Sequence, residues 1–280
     1  MKNLIEATEL NQMMQEGELH ILDASIAFQI PGEGEKIVGQ VIPGALRFDY
    51  DGDFADPNSG LPHTMPSSER FNHSAQHLGL MNEWPIVVYD NSGTLASPRA
   101  WWMLKAMGHK NVKVLNGGLP AWIDAGFDTD SDYRQTTQPG NFNGQKHGQA
   151  FVDSTAVLEA SQTQSHAIID ARSLARFHGT APEPRAGMRS GHIPNAQCLP
   201  FSQLIENGKF KPVAQLQHAF DTLTLDRNKG LIFSCGSGVT ACILLLAADE
   251  LGYSSLSVYD GSWAEWGSTL RLPIEKIEHM

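Results

Sequence analysis

The chain has 280 residues, enough for two domains, and its content of 41% hydrophobic and 18% charged residues is typical of a globular protein. A net charge of −11 without a block rich in lysine or arginine argues against nucleic acid or an anionic membrane as a partner. No apolar run approaches the ~20 residues of a membrane span, and the polar start is unlike a secretory signal, so we expect a cytoplasmic protein. Three cysteines without paired spacing predict free thiols.

The first half of the chain alternates between helical and extended patterns. A helix capped by Thr8 is predicted over residues 8–15, and a strand over residues 20–23. The apolar run 85–90 predicts a second strand, with helices at 67–78 and 96–107 on either side of it. Alternation of this kind favours an α/β unit with a mostly parallel sheet.

The same order of segments then returns in the second half. Residues 20–23 are echoed by 165–170 and residues 41–45 by 192–196, while 85–90 and 114–118 match 229–234 and 258–262 at one offset of 144 residues. Four matching segments in the same order predict a duplicated domain. We therefore expect an N-terminal domain over 1–130, a polar linker over 131–149 and a C-terminal domain over 150–280.

The stretch from 231 to 241 carries the most specific chemistry. An apolar strand ends at Ser234, and a helix is predicted from Val239 to Leu251, so Cys235 lies on a turn from strand to helix. Glycines at 236 and 238 let the backbone curl until several N–H groups point at the sulfur, an arrangement that favours the thiolate. Asn91 takes the place of Cys235 at the 144-residue offset, so only the second copy is predicted to be catalytic.

Four motifs together resemble the tandem-domain sulfurtransferases of the rhodanese superfamily. They are His192-Ile193-Pro194, the loop CGSGVT at 235–240, SPRAWW at 97–102 and DGSW at 260–263. The resemblance implies an α/β fold of two tandem rhodanese-like domains, each a mostly parallel sheet flanked by helices, with a non-catalytic N-terminal copy. The uncharged loop is similar to that of 3-mercaptopyruvate sulfurtransferases, whereas thiosulfate-preferring relatives typically carry basic residues there.

The resemblance also implies a set of site residues. It implies Cys235 as nucleophile, a relay of Ser237, His63 and Asp51, and substrate binding by Arg176, Arg185, Gly236, Gly238, Val239 and Thr240. It implies transfer of sulfur from 3-mercaptopyruvate through a Cys235 persulfide, with release of pyruvate. The acceptor would be a thiol such as thioredoxin or glutathione, or cyanide, and no cofactor is expected.

Other functions stay open at this level. A thiosulfate sulfurtransferase has the same nucleophile, and a non-catalytic persulfide carrier or binding module would keep the same loop. A cysteine-dependent phosphatase needs an arginine six residues after the nucleophile, where this chain has Ala241. The eleven histidines show no metal-ligand spacing, so no metal is expected.

Overall fold

The computed structural model describes residues 1–277, which form two compact units. The first unit comprises Met1–Asn58, Met65–His147 and Ile205–Phe210. The second unit comprises Ser59–Thr64, Gly148–Leu204 and the described residues from Lys211 onward. The first unit therefore contains most of the segment predicted as a linker, and each unit contains one short segment from the other half of the sequence.

The first unit is built around a five-stranded sheet with the order β1-β5-β4-β2-β3. Its strands pair in parallel throughout. In chain order its elements are β1 (Leu4–Ile5), α1 (Ala7–Glu16), β2 (His20–Asp23), β3 (Leu46–Arg47), α2 (Ser68–His77), β4 (Ile86–Tyr89), α3 (Ser97–Ala106), β5 (Val112–Leu115) and α4 (Gly118–Asp124).

The second half of the chain repeats this plan in a sheet with the order β6-β12-β11-β7-β8, again parallel at every pairing. Its elements in chain order are β6 (Phe151–Val152), α5 (Ser154–Thr163), β7 (His166–Asp170), α6 (Leu174–His178), β8 (Gln197–Cys198), a 3₁₀ turn (Phe201–Gln203), β9 (Ile205–Glu206), β10 (Lys209–Phe210), α7 (Val213–Phe220), β11 (Gly230–Ser234), α8 (Ala241–Glu250), β12 (Leu256–Tyr259) and α9 (Ser262–Trp266).

The internal duplication is visible in the element boundaries. Helix α3 begins at Ser97 and α8 at Ala241, and β5 and β12 begin at Val112 and Leu256, so both pairs keep the 144-residue offset. The predicted duplicated α/β architecture is therefore confirmed. Because both sheets are parallel, the loops after their strands lie along one edge, the carboxyl edge of each sheet.

The start of α1 differs from the sequence prediction. The N-cap is Glu6, which forms a capping box with Glu9, and the Glu6 N–H donates to Oε2 of Glu9 at 3.0 Å. The prediction of a cap at Thr8 is wrong, because the helix already begins at Ala7 and the reciprocal Glu6–Glu9 pair satisfies the free N–H groups at its start.

The hairpin formed by β9 and β10 packs in the first unit, although its sequence lies in the second half. The Thr94 N–H donates to the Gly208 carbonyl at 2.8 Å, and the Phe210 N–H donates to Oδ1 of Asn116 at 2.9 Å. The loops after β4 and β5 are therefore bound by this hairpin. The corresponding loop after β11 is the one that carries Cys235.

Candidate active site

Cys235 follows β11, the central strand of the second sheet, on the loop that leads into α8. The side chain is 2% exposed. The start of α9 fixes this loop, since the Cys235 N–H donates to Oγ of Ser262 at 3.2 Å and the Cys235 carbonyl accepts from the Trp263 N–H at 3.0 Å. The thiol thus lies at the carboxyl edge of a parallel sheet, where α/β folds of this kind bind their ligands.

A backbone N–H contacts the sulfur directly. The Gly238 N–H donates to Sγ of Cys235 at 3.1 Å. The φ angle of Gly238 is +80°, a left-handed conformation that glycine adopts without strain. Thr240 is the N-cap of α8 and its side chain makes no capping hydrogen bond, so the first N–H groups of the helix are not taken by their own cap. They contribute positive potential beside the thiol.

The equivalent loop of the first unit reveals what such a cradle binds. Asp90, which corresponds to Ser234, is fully buried, and its Oδ2 accepts hydrogen bonds from the N–H groups of Leu95, Ala96 and Ser97 at 3.0, 2.9 and 2.8 Å. The Ser97 hydroxyl donates to the same oxygen at 2.8 Å. Burial raises the pKa of Asp90, while these four donors oppose the rise. In the first copy the cradle therefore holds an oxygen of the chain's own carboxyl group.

The second copy keeps the helix start but not the carboxyl group. At the 144-residue offset the donors of the first unit correspond to the N–H groups of Val239, Thr240 and Ala241. Ser234 replaces Asp90, and its buried Oγ has no hydrogen-bond partner in the described part of the chain. The side chain of Ser234 is shorter than that of Asp90. In the second unit the loop therefore contacts the thiol of Cys235 instead of a carboxyl group.

A cation flanks the loop. Arg176 lies on α6, and a Cβ placed on Gly236 would be 3.5 Å from its Nη2 atom. The same nitrogen pairs with Oε2 of Glu183 at 2.5 Å. Glu183 thus fixes a guanidinium group next to the residue that follows the thiol, and the role of Arg176 in substrate binding stays a prediction.

The guanidinium group of Arg172 is buried more deeply than that of Arg176 and is bound by residues of the second unit. Arg172 pairs with Asp170 at 2.6 Å and with Glu183 at 2.8 Å, and it lies 4.1 Å above the ring of Trp263. Burial acts to lower the pKa of Arg172, but the two carboxylates outweigh burial and raise it. The arginine therefore acts as an anchor between the ends of β7 and α9.

The other predicted residues are distributed as follows. Ser237 and Val239 are buried in the Cys235 loop, and Arg185 is half-buried in the loop two residues after Glu183. His63 is buried with a φ of 61° in the segment 59–64 of the second unit, whereas Asp51 is exposed and belongs to the first unit. The structure thus brings the loop and Arg176 together, while the relay through Ser237, His63 and Asp51 stays a prediction.

The environments of the other two cysteines, Cys198 and Cys242, do not favour a reactive thiolate. Cys242 is fully buried and its Sγ donates to the Gly238 carbonyl at 3.3 Å. Burial raises the pKa of Cys198 to about 12, so this thiol stays protonated near neutral pH. Both side chains are free thiols.

Glu183 is the site residue that the sequence analysis missed. Its carboxylate is 1% exposed and bonds both Arg172 and Arg176. The only signal in the sequence was an acid seven residues after Arg176 and two before Arg185, in a polar loop where most acids are solvated.

Among residues 1–277, no group of three His, Cys, Asp or Glu side chains is placed to hold a metal ion. No helix of the described chain is long and apolar enough to cross a membrane.

The model of the rhodanese-like domain matches this chain twice, at residues 6–125 and 154–269. The chain belongs to the rhodanese-like family. The rhodanese superfamily expected from the four motifs is therefore confirmed, and each match covers four of the five strands of one parallel sheet.

Named rhodanese relatives cover nearly the whole chain. A mitochondrial thiosulfate/3-mercaptopyruvate sulfurtransferase of Arabidopsis thaliana is 39% identical over 96% of this chain and 77% of its own length. The 3-mercaptopyruvate sulfurtransferase of Escherichia coli K12 is 37% identical over 98% of both chains. A crystal structure of the 3-mercaptopyruvate sulfotransferase SseA from Escherichia coli superimposes with a TM-score of 0.82 at 34% identity, covering 94% of this chain and 99% of that one.

Proposed function

We propose that this chain takes sulfur from 3-mercaptopyruvate, holds it as a persulfide on Cys235 and passes it to a thiol or to cyanide. The observation that carries the proposal is the hydrogen bond from the Gly238 N–H to Sγ of Cys235 at the start of α8. The equivalent N–H groups of the first unit hold an oxygen of Asp90, so this backbone geometry suits an atom that carries negative charge. A thiolate is such an atom, and so is the terminal sulfur of a persulfide.

The transfer needs no oxidant or reductant. The thiolate of Cys235 attacks the sulfur of 3-mercaptopyruvate, so that an S–S bond forms and the C–S bond breaks. The electron pair of the C–S bond leaves with the three-carbon fragment as the enolate of pyruvate. The proton of the donor thiol, lost from the new persulfide, then protonates the enolate carbon. In the second half-reaction an acceptor thiolate or cyanide attacks the terminal sulfur, and the Cys235 thiolate is regenerated.

The cations near the loop suit a donor that carries a carboxylate. Arg176 of α6 lies beside Gly236, and Arg185 lies two residues after Glu183, the partner of Arg176. Guanidinium groups bind carboxylate and keto oxygens through charge-assisted hydrogen bonds that also fix orientation. We assign these two arginines to the donor, together with the backbone of Gly236, Val239 and Thr240.

Ser237 is the candidate for the proton transfer. It lies two residues after the nucleophile and is 7% exposed, so its hydroxyl is shielded from bulk water. His63 and Asp51 would extend the relay from Ser237. A hydroxyl group that returns the proton to the enolate completes the first half-reaction without a free acid.

Thiosulfate is the second candidate donor. The name of the Arabidopsis thaliana relative includes both donors, and both require the same nucleophile. The loop 235–240 itself has no charged side chain, so a dianion gains no cation there. That feature favours the singly charged 3-mercaptopyruvate.

A persulfide carrier that serves a protein acceptor is a different class of function. It would be loaded at Cys235 but would turn over slowly with small thiols such as glutathione. Thioredoxin, glutathione and cyanide are all proposed acceptors, and the cytoplasmic location stays a prediction.

The test is kcat/KM for 3-mercaptopyruvate and for thiosulfate on one preparation, with dithiothreitol or cyanide as acceptor and Cys235→Ser as the blank. A clear preference for 3-mercaptopyruvate supports the proposal. Preference for thiosulfate would keep the nucleophile and overturn the donor. Loading of Cys235 by one sulfur atom in mass spectrometry without turnover would instead favour the carrier.

A further inference from the structure

The carboxylate of Glu183 lies between two guanidinium groups and is almost fully buried. Its Oε1 accepts from Nη1 of Arg172 at 2.8 Å, and its Oε2 accepts from Nη2 of Arg176 at 2.5 Å and from Nε at 3.2 Å. The side chain is 1% exposed. Glu183 therefore takes the Nε/Nη2 edge of Arg176, which leaves the other edge of that guanidinium for a ligand.

Arg172, the other partner of Glu183, is held in place by several hydrogen bonds. Arg172 donates two hydrogen bonds to Oδ2 of Asp170, at 2.9 and 2.6 Å, and a third to the Gly191 carbonyl at 2.8 Å. Its guanidinium also lies on the ring of Trp263, and the backbone N–H of Trp263 donates to the Cys235 carbonyl. Through Glu183, Arg176 is thus connected to the same framework that fixes the thiol.

The four ionic groups of this network balance in charge. Arg172 and Arg176 carry two positive charges, and Asp170 and Glu183 carry two negative charges. A donor that reaches Arg176 therefore meets a cation whose charge is compensated by a carboxylate in direct contact with it. A singly charged donor can still form directional hydrogen bonds there, whereas the second negative charge of a dianion is repelled by the buried carboxylate of Glu183.

We propose that Glu183 determines the specificity of the site for singly charged sulfur donors, because it positions Arg176 beside Gly236 and cancels its charge. This inference rests on the proposed sulfur transfer at Cys235. Glu183 acts through Arg176 and is a positioning residue. The loop sequence alone does not contain this determinant, since Glu183 lies 52 residues before Cys235 (235 − 183).

The test compares Glu183→Gln with wild type for both donors. We expect kcat/KM for 3-mercaptopyruvate to fall by about tenfold, mainly through KM, because Arg176 loses its charged partner. We expect the ratio of kcat/KM for thiosulfate to that for 3-mercaptopyruvate to rise by about tenfold or more, because one uncompensated positive charge then lies beside the loop. An equal fall for both donors would overturn the specificity role, since general damage to the site gives that result.

Two further variants serve as controls. One separates the charge of residue 183 from its position, and the other measures the effect of removing a negative charge elsewhere in the same unit. Glu183→Asp keeps the charge on a shorter side chain, so its donor ratio should stay within about threefold of wild type even though its KM rises. Glu159→Gln removes one negative charge from the exposed side of α5 in the same unit and should change neither donor. A donor ratio in Glu183→Asp that matches Glu183→Gln would refute the charge argument. If Glu183→Gln does not fold, the wild-type arm of the alkylation assay described next still decides, because protection of Cys235 by sulfate would overturn the inference.

A binding assay distinguishes failure of this inference from failure of the proposed function. The rate of Cys235 alkylation, followed by peptide mapping, is measured with pyruvate or sulfate present. In wild type we expect protection by pyruvate and not by sulfate, and in Glu183→Gln we expect protection by sulfate to appear. Protection by sulfate in wild type would overturn the inference even if neither sulfur donor is turned over.

Discussion

Replacing Asp90 by alanine tests whether the loop of a rhodanese-like unit is a cradle for a negatively charged atom. The substitution removes the acceptor of three backbone N–H groups and of the Ser97 hydroxyl, all of them buried. Each hydrogen bond to a charged acceptor contributes about 1.5–3 kcal/mol, and removing the carboxyl group also removes the cost of burying it. The net loss should be about 3–5 kcal/mol, because each buried N–H group left without an acceptor costs about 1–3 kcal/mol and the cost of burying the carboxyl group, now removed, offsets part of that sum.

Two measurements give that loss independent readouts. Thermal unfolding of the full chain should show the transition of the first unit about 10 °C lower, since 1 kcal/mol corresponds to about 2–4 °C in a domain of this size class. Hydrogen exchange should become faster at the amides of Leu95, Ala96 and Ser97, because these are the donors that lose their acceptor. Added formate should restore part of both signals, since it supplies the missing carboxylate.

The control is Asp124→Ala, which removes an exposed acid from the end of α4 in the same unit and should leave both signals unchanged. The reasoning is refuted if Asp90→Ala unfolds at the wild-type temperature with unchanged exchange at the three amides. It is also refuted if formate stabilises the wild type and the variant equally, because the wild-type cradle is already occupied.

Three further predictions concern single substitutions. Cys235→Ser should lower sulfur transfer by at least about 10²-fold with an unchanged circular dichroism spectrum, and a smaller loss would place the nucleophile elsewhere. Arg185→Ala should raise KM for 3-mercaptopyruvate more than KM for thiosulfate in steady-state assays, whereas equal increases would contradict a role in carboxylate binding. Since burial raises the pKa of Asp90, the native state holds that proton more tightly than the unfolded chain. Wild-type stability relative to Asp90→Asn should therefore be greatest below about pH 4 and should fall as pH rises through the folded pKa, so a constant difference in denaturant titrations from pH 4 to 8 would contradict this.

The duplicated fold was predictable because each copy repeats local patterns in the same order. The strands at 86–89 and 230–234 are short apolar runs followed by small residues, and the helices that follow keep the 144-residue offset. Parallel pairing follows from the alternation of strands and helices. The cap of α1 was not predictable from Thr8 alone, because a pair of glutamates competes for the same N–H groups.

Features that depend on contacts between residues distant in sequence could not be predicted, for a different reason. The hairpin 205–210 packs in the first unit and the segment 59–64 in the second, and neither short sequence indicates the unit in which it packs. The nucleophile loop was predictable from Cys235, Gly236 and Gly238, since their geometry is local. Glu183 was not, because its role depends on a bridge between two arginines that only the fold brings together.

The two copies share one backbone device and differ in the atom that occupies it. In the first unit Asp90 accepts the hydrogen bonds of the cradle, and the hairpin carbonyl of Gly208 binds the same loop, so the donors of this copy are already occupied. In the second unit the shorter Ser234 makes no side-chain hydrogen bond in the described part of the chain, and the thiol of Cys235 accepts a hydrogen bond from the Gly238 N–H. Loss of chemistry in the first copy therefore involves more than the missing cysteine. Placing a cysteine at Asn91 alone should not create a second active site, because the carboxyl group of Asp90 already binds the donors that a persulfide would need.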